Sequence, residues 1–157
     1  MRVALIALAS FAVAALPASA LTVETHLSSK FQEKLKDDYG VREGGILSEA
    51  LANRVEKIFN REGIAADRVV VTIEDAKPNR PTFEQVSDRP GLDPIRSISL
   101  GGARIVGVAY DASGKELGSL DYDWYETDLS NSLAVSTWSD ARWTFSRFAE
   151  RFADRLG

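Results

Sequence analysis

The sequence contains no cysteine. That excludes a disulfide framework, a nucleophilic thiol and attachment of a lipid through sulfur, and in an oxidising compartment it leaves packing as the source of stability. Histidine occurs once, as His26. With no thiolate and one imidazole, a zinc site of the usual ligand types is not expected, and no cofactor is expected either. The G-x-x-x-x-G-K-[ST] and G-x-G-x-x-G phosphate cradles are missing, so Gly44-Gly45 and Gly101-Gly102 read as backbone freedom. The G-x-S-x-G elbow is missing too, which leaves His26 without a nucleophile to activate. A basic excess is also lacking. Setting aside residues 1–20 leaves 18 basic against 23 acidic residues, a formal charge of −5 over residues 21–157. A mildly acidic chain has no electrostatic reason to seek nucleic acid or an anionic bilayer.

The long hydrophobic run that does occur is at the start. MRVALIALASFAVAALPASA has one basic residue, Arg2, then an apolar core, Pro17, and small residues at Ala18 and Ala20. This is the pattern of a secretory signal peptide cleaved after Ala20, with an uncleaved membrane anchor as the rival reading. The expectation is a periplasmic or secreted protein with no integral membrane segment in the mature chain. Residues 21–157 have the length of one domain with one core.

Along that domain, Leu21 to Thr25 alternates as a short strand. Ser29 and Gln32 fit a capping box for a short helix that Gly40 can end. VREGG then breaks the pattern, and Leu47, Leu51, Val55, Ile58 and Phe59 form one stripe of a helix over 47–62, closed by Gly63. RVVVTIED (68–75) reads as a buried strand. Four of the five prolines fall within residues 77–94, a long surface connection in which Thr82 and Gln85 can cap one helical turn. Residues 97–125 predict a central β-hairpin around Asp111-Ala-Ser-Gly114. Its turn sets Asp111 opposite Lys115, hence Val106 opposite Leu120, Arg104 opposite Tyr122 and Gly102 opposite Trp124. A last helix covers 138–156, with Trp138, Ala141, Phe145, Phe148, Ala149, Phe152 and Leu156 within roughly 60° of one line and Thr137 and Asp140 at its start. The fold class is therefore α+β, an antiparallel or mixed sheet of about four strands with its two main helices mainly on one face.

The phrases KDDYGVRE, IEDAKPNRPTFEQ and PGLDPIRSISLGGARI, with the hairpin and the Trp-containing last helix, resemble a group of small exported (periplasmic) bacterial proteins of unknown function. The resemblance covers most of residues 21–157 and implies a bacterial envelope setting. It transfers no catalytic residue.

Two surface features compete as sites. DYDWYETD (121–128) concentrates carboxylates, but counted from Asp121 its sixth position is Glu126 and its twelfth Ser132, so it fails as an EF-hand. On the predicted register Asp121 and Asp123 lie on a wet strand face, and only Glu126 and Asp128 keep freedom to serve a ligand. Trp143 lies about 160° from the stripe of the last helix, where a large aromatic suits a contact surface, unless the same chain covers it. The leading expectation is a non-catalytic exported domain that binds an envelope protein partner or self-associates, using Trp143, Phe83 within the proline-rich loop, Glu126 and Asp128. The alternative is a small hydrolase of envelope polysaccharide with Asp121, Asp123, Glu126 or Glu84 as acid and base.

Overall fold

A computed structural model describes residues 20–131 and 136–157; the expected signal segment, residues 1–20, lies outside them except for Ala20. Strand β1 (Thr22–Leu27) leads into helix α1 (Ser29–Lys34), whose last turn widens into a π-helical turn, Leu35–Tyr39. Helix α2 (Val41–Glu62), strand β2 (Arg68–Lys77) and the short helix α3 (Phe83–Asp88) follow. Strands β3 (Gly102–Tyr110) and β4 (Glu116–Tyr125) precede helix α4 (Ser139–Leu156). The sheet order is β1-β2-β3-β4, with β1 parallel to β2 and the other pairs antiparallel. The single parallel pair, β1 and β2, is joined through α1 and α2, the long connection that a parallel crossover requires. This is the α+β, mixed four-stranded architecture expected, hairpin included.

Helix α2 packs against β1 and α4 against β3 and β4, and the two helices lie against each other on that same face. Leu47, Leu51, Val55, Ile58 and Phe59 of α2 meet Phe145, Phe148 and Phe152 of α4 over Val69, Val71, Ile73 and Ile105. Phe59 and Phe152 meet edge to face at 5.5 Å. Gly107 makes this seat. A Cβ there would stand 2.6 Å from Phe148 and 2.9 Å from Phe152.

Three expectations need correction. Helix α2 begins at Val41, not 47, so VREGG continues the helix. Gly40, at φ +93°, turns the chain, and Gly44 is buried where a Cβ would lie 2.9 Å from both Leu27 and Leu35. Close packing there offsets the roughly 1 kcal/mol that glycine costs in a helix. The α1 cap is Ser28 rather than Ser29. Its Oγ accepts from the Phe31 N–H at 3.2 Å, while Gln32 Nε2 donates to the Leu27 carbonyl at 2.7 Å.

The third correction is the hairpin register. The turn is as expected, with Asp111 and Lys115 bonded and Gly114 at φ +83°. A bulge then intervenes: Tyr110 faces Glu116, but Ala109 faces Gly118. Leu120, Tyr122 and Trp124 therefore sit opposite Gly107, Ile105 and Ala103, not Val106, Arg104 and Gly102. One extra residue changes every partner beyond it. Val106 and Val108 accordingly lie on the open face, with Asp121 and Ser119 as neighbours.

Candidate functional site

Residues 78–101 leave the end of β2, form α3, and return to the start of β3. What fixes this connection is a buried polar junction. Asn79 is fully buried and Asp140, in the first turn of α4, is 1% exposed. Asn79 Nδ2 donates to the Asp140 carboxylate at 2.5 Å, and Asn79 Oδ1 accepts from the Asp140 N–H at 2.8 Å. The same carboxylate accepts from the Gly101 N–H at 3.2 Å. Asn79 also makes backbone bonds to the return segment and to the approach to α4, accepting from Ser99 N–H at 2.8 Å and donating to the Thr137 carbonyl at 2.7 Å. Gly101 is required beside it, because a Cβ would fall 2.5 Å from Asn79 Oδ1. Asp140, expected at the start of α4 as a favourable charge for its dipole, turns inward and ties both ends of the connection to the core. The N-cap position, Trp138, makes no side-chain cap, and its Nε1 donates to Glu43 at 2.6 Å.

The middle of the connection is clamped to the π-helical turn. Thr82 and Gln85 form the full capping box of α3, as the sequence suggested. Gln85 Nε2 donates to Asp38 at 3.1 Å, and Arg89 forms an ion pair with the same carboxylate. Glu84 lies where a Cβ on Gly40 would meet its own Cβ at 3.1 Å, so α3 sits directly on that turn. Beyond α3, Asp93 Oδ1 accepts from the Ile95 and Arg96 N–H groups, which hold its carboxyl below the usual range. The Arg80 guanidinium donates to the Ile95 carbonyl. Ser99 Oγ closes the return by donating to Pro78 O at 2.6 Å.

These contacts leave a cleft of about 380 Å³ between the connection, the π-helical turn and the end of β2. Its chemistry is uneven. Lys77, Arg80 and Arg89 line it against one carboxylate, Asp38, and Tyr39, Ile98 and Leu100 supply apolar wall. Next to it stands a chain of titratable groups. Lys34 Nζ pairs with Asp75 at 2.8 Å, and Lys77 Nζ lies 5.2 Å from the Tyr125 ring centre. Burial and the neighbouring Asp75 and Asp123 carboxylates push the Tyr125 phenol well above its ordinary value. Burial likewise raises Tyr39, with Lys34 opposing. For Lys34, burial pulls downward, but Asp75 and Tyr39 outweigh it and the net shift is upward.

A second hollow, of about 680 Å³, runs beside β1 and includes His26, Glu33 and Lys36. His26 is exposed there. Among the described residues, no three metal-ligating side chains gather to hold an ion.

No residue of the acidic stretch lines either hollow. Asp121 is exposed on the open face of the sheet and takes a two-pronged bond from Arg104, at 3.2 and 2.7 Å, which lowers its pKa. Glu126 Oε1 accepts from the N–H groups of Thr127 and Asp128, and Asp128 Oδ1 from the N–H and hydroxyl of Ser130. The two carboxylates expected to be free for a ligand thus organise their own turns. Trp143 also has a partner within the chain. Its ring centre lies 4.3 Å from that of Trp124, and the Arg147 guanidinium stands 5.0 Å over it. Helix α4 therefore buries a broader face than the stripe suggested, because Asp140 and Thr144 are buried as well. Phe83 is different, being 82% exposed on α3.

No protein-family model and no curated protein matches the sequence. Among solved structures the chain is similar to a minor lipoprotein from Acinetobacter baumannii, at 9% identity and a TM-score of 0.36, over 88% of this chain and 92% of that one. No helix among the described residues is long and apolar enough to cross a membrane.

Proposed function

We propose that this chain is a non-catalytic exported domain that binds a partner in the bacterial envelope through the proline-rich connection and the cleft beneath it. The observation that supports this reading is where large apolar side chains meet water. Of seven such residues among the described ones, Phe83, Ile95, Ile98 and Leu100 all belong to this one connection. Single exposed apolar residues are ordinary, but four on one clamped segment beside a cleft have the composition of a contact surface. Export is supported by the pattern of residues 1–20. Trp143, Glu126 and Asp128 have their own intramolecular partners, so the contact surface is assigned to the connection, where Phe83 is the most exposed of the four.

The hydrolase reading needs a carboxylate of raised pKa facing a cleft. Asp121 and Asp128 are shifted downward by their hydrogen bonds, and segment 121–128 borders neither hollow described above. The binding reading is tested by placing a photo-crosslinking benzoylphenylalanine at position 83 in cells of the source bacterium, with the same group at Lys57 on α2 as control. A discrete adduct at 83 and none at 57 is expected. Equal labelling at both positions, or none at 83, would sink the proposal.

A further inference from the structure

Resting on that binding reading, we infer that the cleft takes an anionic head group carried on an apolar chain. The whole sequence carries −4, yet the groups lining this cleft are three cations and one carboxylate, a local balance of +2. The carboxylate, Asp38, is already paired with Arg89 and bonded by Gln85. Lys77 is exposed and makes no ion pair among the described residues, its contact being the face of Tyr125. An ammonium placed on an aromatic face at the mouth of a cleft is a charge already held in position for an incoming anion.

The rest of the wall fits a chain, not a second charge. Tyr39, Leu92, Ile98 and Leu100 line the same space, and Ile98 and Leu100 remain 44% and 36% exposed. An apolar ligand segment would take this surface out of water at about 25 cal/mol per Å². The volume, about 380 Å³, is near the small end of ligand sites, which run to about 1,000 Å³. The hollow beside β1 offers no such bias, since one carboxylate, Glu33, and one cation, Lys36, both line it. The connection is pinned at Asn79, Asp38 and Asp93, so the site needs little ordering when a ligand enters.

The probes are decanoate, decyl phosphate, the neutral decanol and the cationic decyltrimethylammonium, titrated into the full domain while backbone amide shifts are followed. Decanoate or decyl phosphate is expected to move the amides of Lys77 and Ser97 to Leu100, and preference between them separates a carboxylate from a phosphate head. Decanol should bind at least about tenfold more weakly, the loss of one charge-assisted contact. Lys77→Gln and Lys77→Glu should weaken decanoate by a similar or larger factor at unchanged melting temperature, and Lys57→Glu should not. Decanol binding as tightly as decanoate, or Lys77 variants that bind normally, would overturn the anionic assignment. If no probe moves these amides while position 83 still crosslinks, the ligand class fails and the partner reading stands. Failure of both removes the binding reading itself.

Discussion

Replacing Asn79 by Ala should unfasten the proline-rich connection at its root. The substitution removes one bond to the buried Asp140 carboxylate, one from the Asp140 N–H and one to the Ser99 carbonyl at 3.3 Å. A bond to a charged group contributes about 1.5–3 kcal/mol and each neutral one about 1, so the loss is about 3–5 kcal/mol. What remains is a carboxylate 1% exposed that keeps the Gly101 N–H as a donor. Against a total stability of about 5–15 kcal/mol the variant stays folded in the cold but unfolds early. With a urea slope of about 2 kcal/mol per M, its midpoint falls by about 2 M. Urea melts followed by tryptophan fluorescence measure this, with Phe83→Ala as a surface control expected within about 0.5 kcal/mol of the parent. Asn79→Asp sharpens the test. Two carboxylates in contact cannot both ionise, so the new group's folded pKa is raised and its penalty eases as pH falls. An Asn79→Ala loss below about 1 kcal/mol would refute the claim that this junction holds the connection.

Gly107→Ala should cost about 1–3 kcal/mol, because the new methyl meets Phe148 at 2.6 Å in a filled core; an unchanged melting midpoint contradicts that packing. Gly102→Ala should be worse, since its φ is +147° and the Cβ would meet the Trp124 carbonyl oxygen at 2.3 Å; expression as a stable protein at the parent's midpoint contradicts it. Tyr39 and Tyr125 both have raised folded pKa values, so the stability they contribute is complete below about pH 10 and is lost as pH rises through those folded values. In an absorbance titration at 295 nm, Tyr39→Phe and Tyr125→Phe should each delete a late increment; deletion of an increment centred near pH 10 contradicts the assignment. Arg104→Ala should change stability by less than about 1 kcal/mol, because its pair with Asp121 is about half exposed on both sides; a larger loss in the same urea melts would show that the open sheet face is structural.

The sequence displayed the helices most clearly, because a stripe such as Phe145, Phe148 and Phe152 repeats with the helix period and stays on one face. The turn at Gly114 was equally legible. The register beyond it was not, since the bulge at Leu117 depends on how β4 lies against β3 and α4. The start of α2 was hidden for a related reason: Gly44 looks like a breaker until Leu27 and Leu35 are seen packed against it. The junction that builds the cleft joins residues 61 apart, beyond any periodic pattern. Its one local sign was an Asn placed between Pro78 and Pro81, where a loop side chain is well placed to bond backbone. Trp143 was correctly placed off the stripe. That Trp124 waits there required the sheet.

The central claim is that residues 78–101 form a fixed wall of the cleft, and amide hydrogen exchange on the intact protein tests it most directly. The N–H groups of Asn79, Ser99 and Gly101 each have a named acceptor, two on backbone carbonyls and one on the Asp140 carboxylate. The account predicts that they exchange on the scale of the core amides of β2 and β3, orders of magnitude more slowly than the amide of Ala112, exposed in the hairpin turn. Exchange of Ser99 and Gly101 as fast as that turn would mean that the wall opens freely, and would contradict the account.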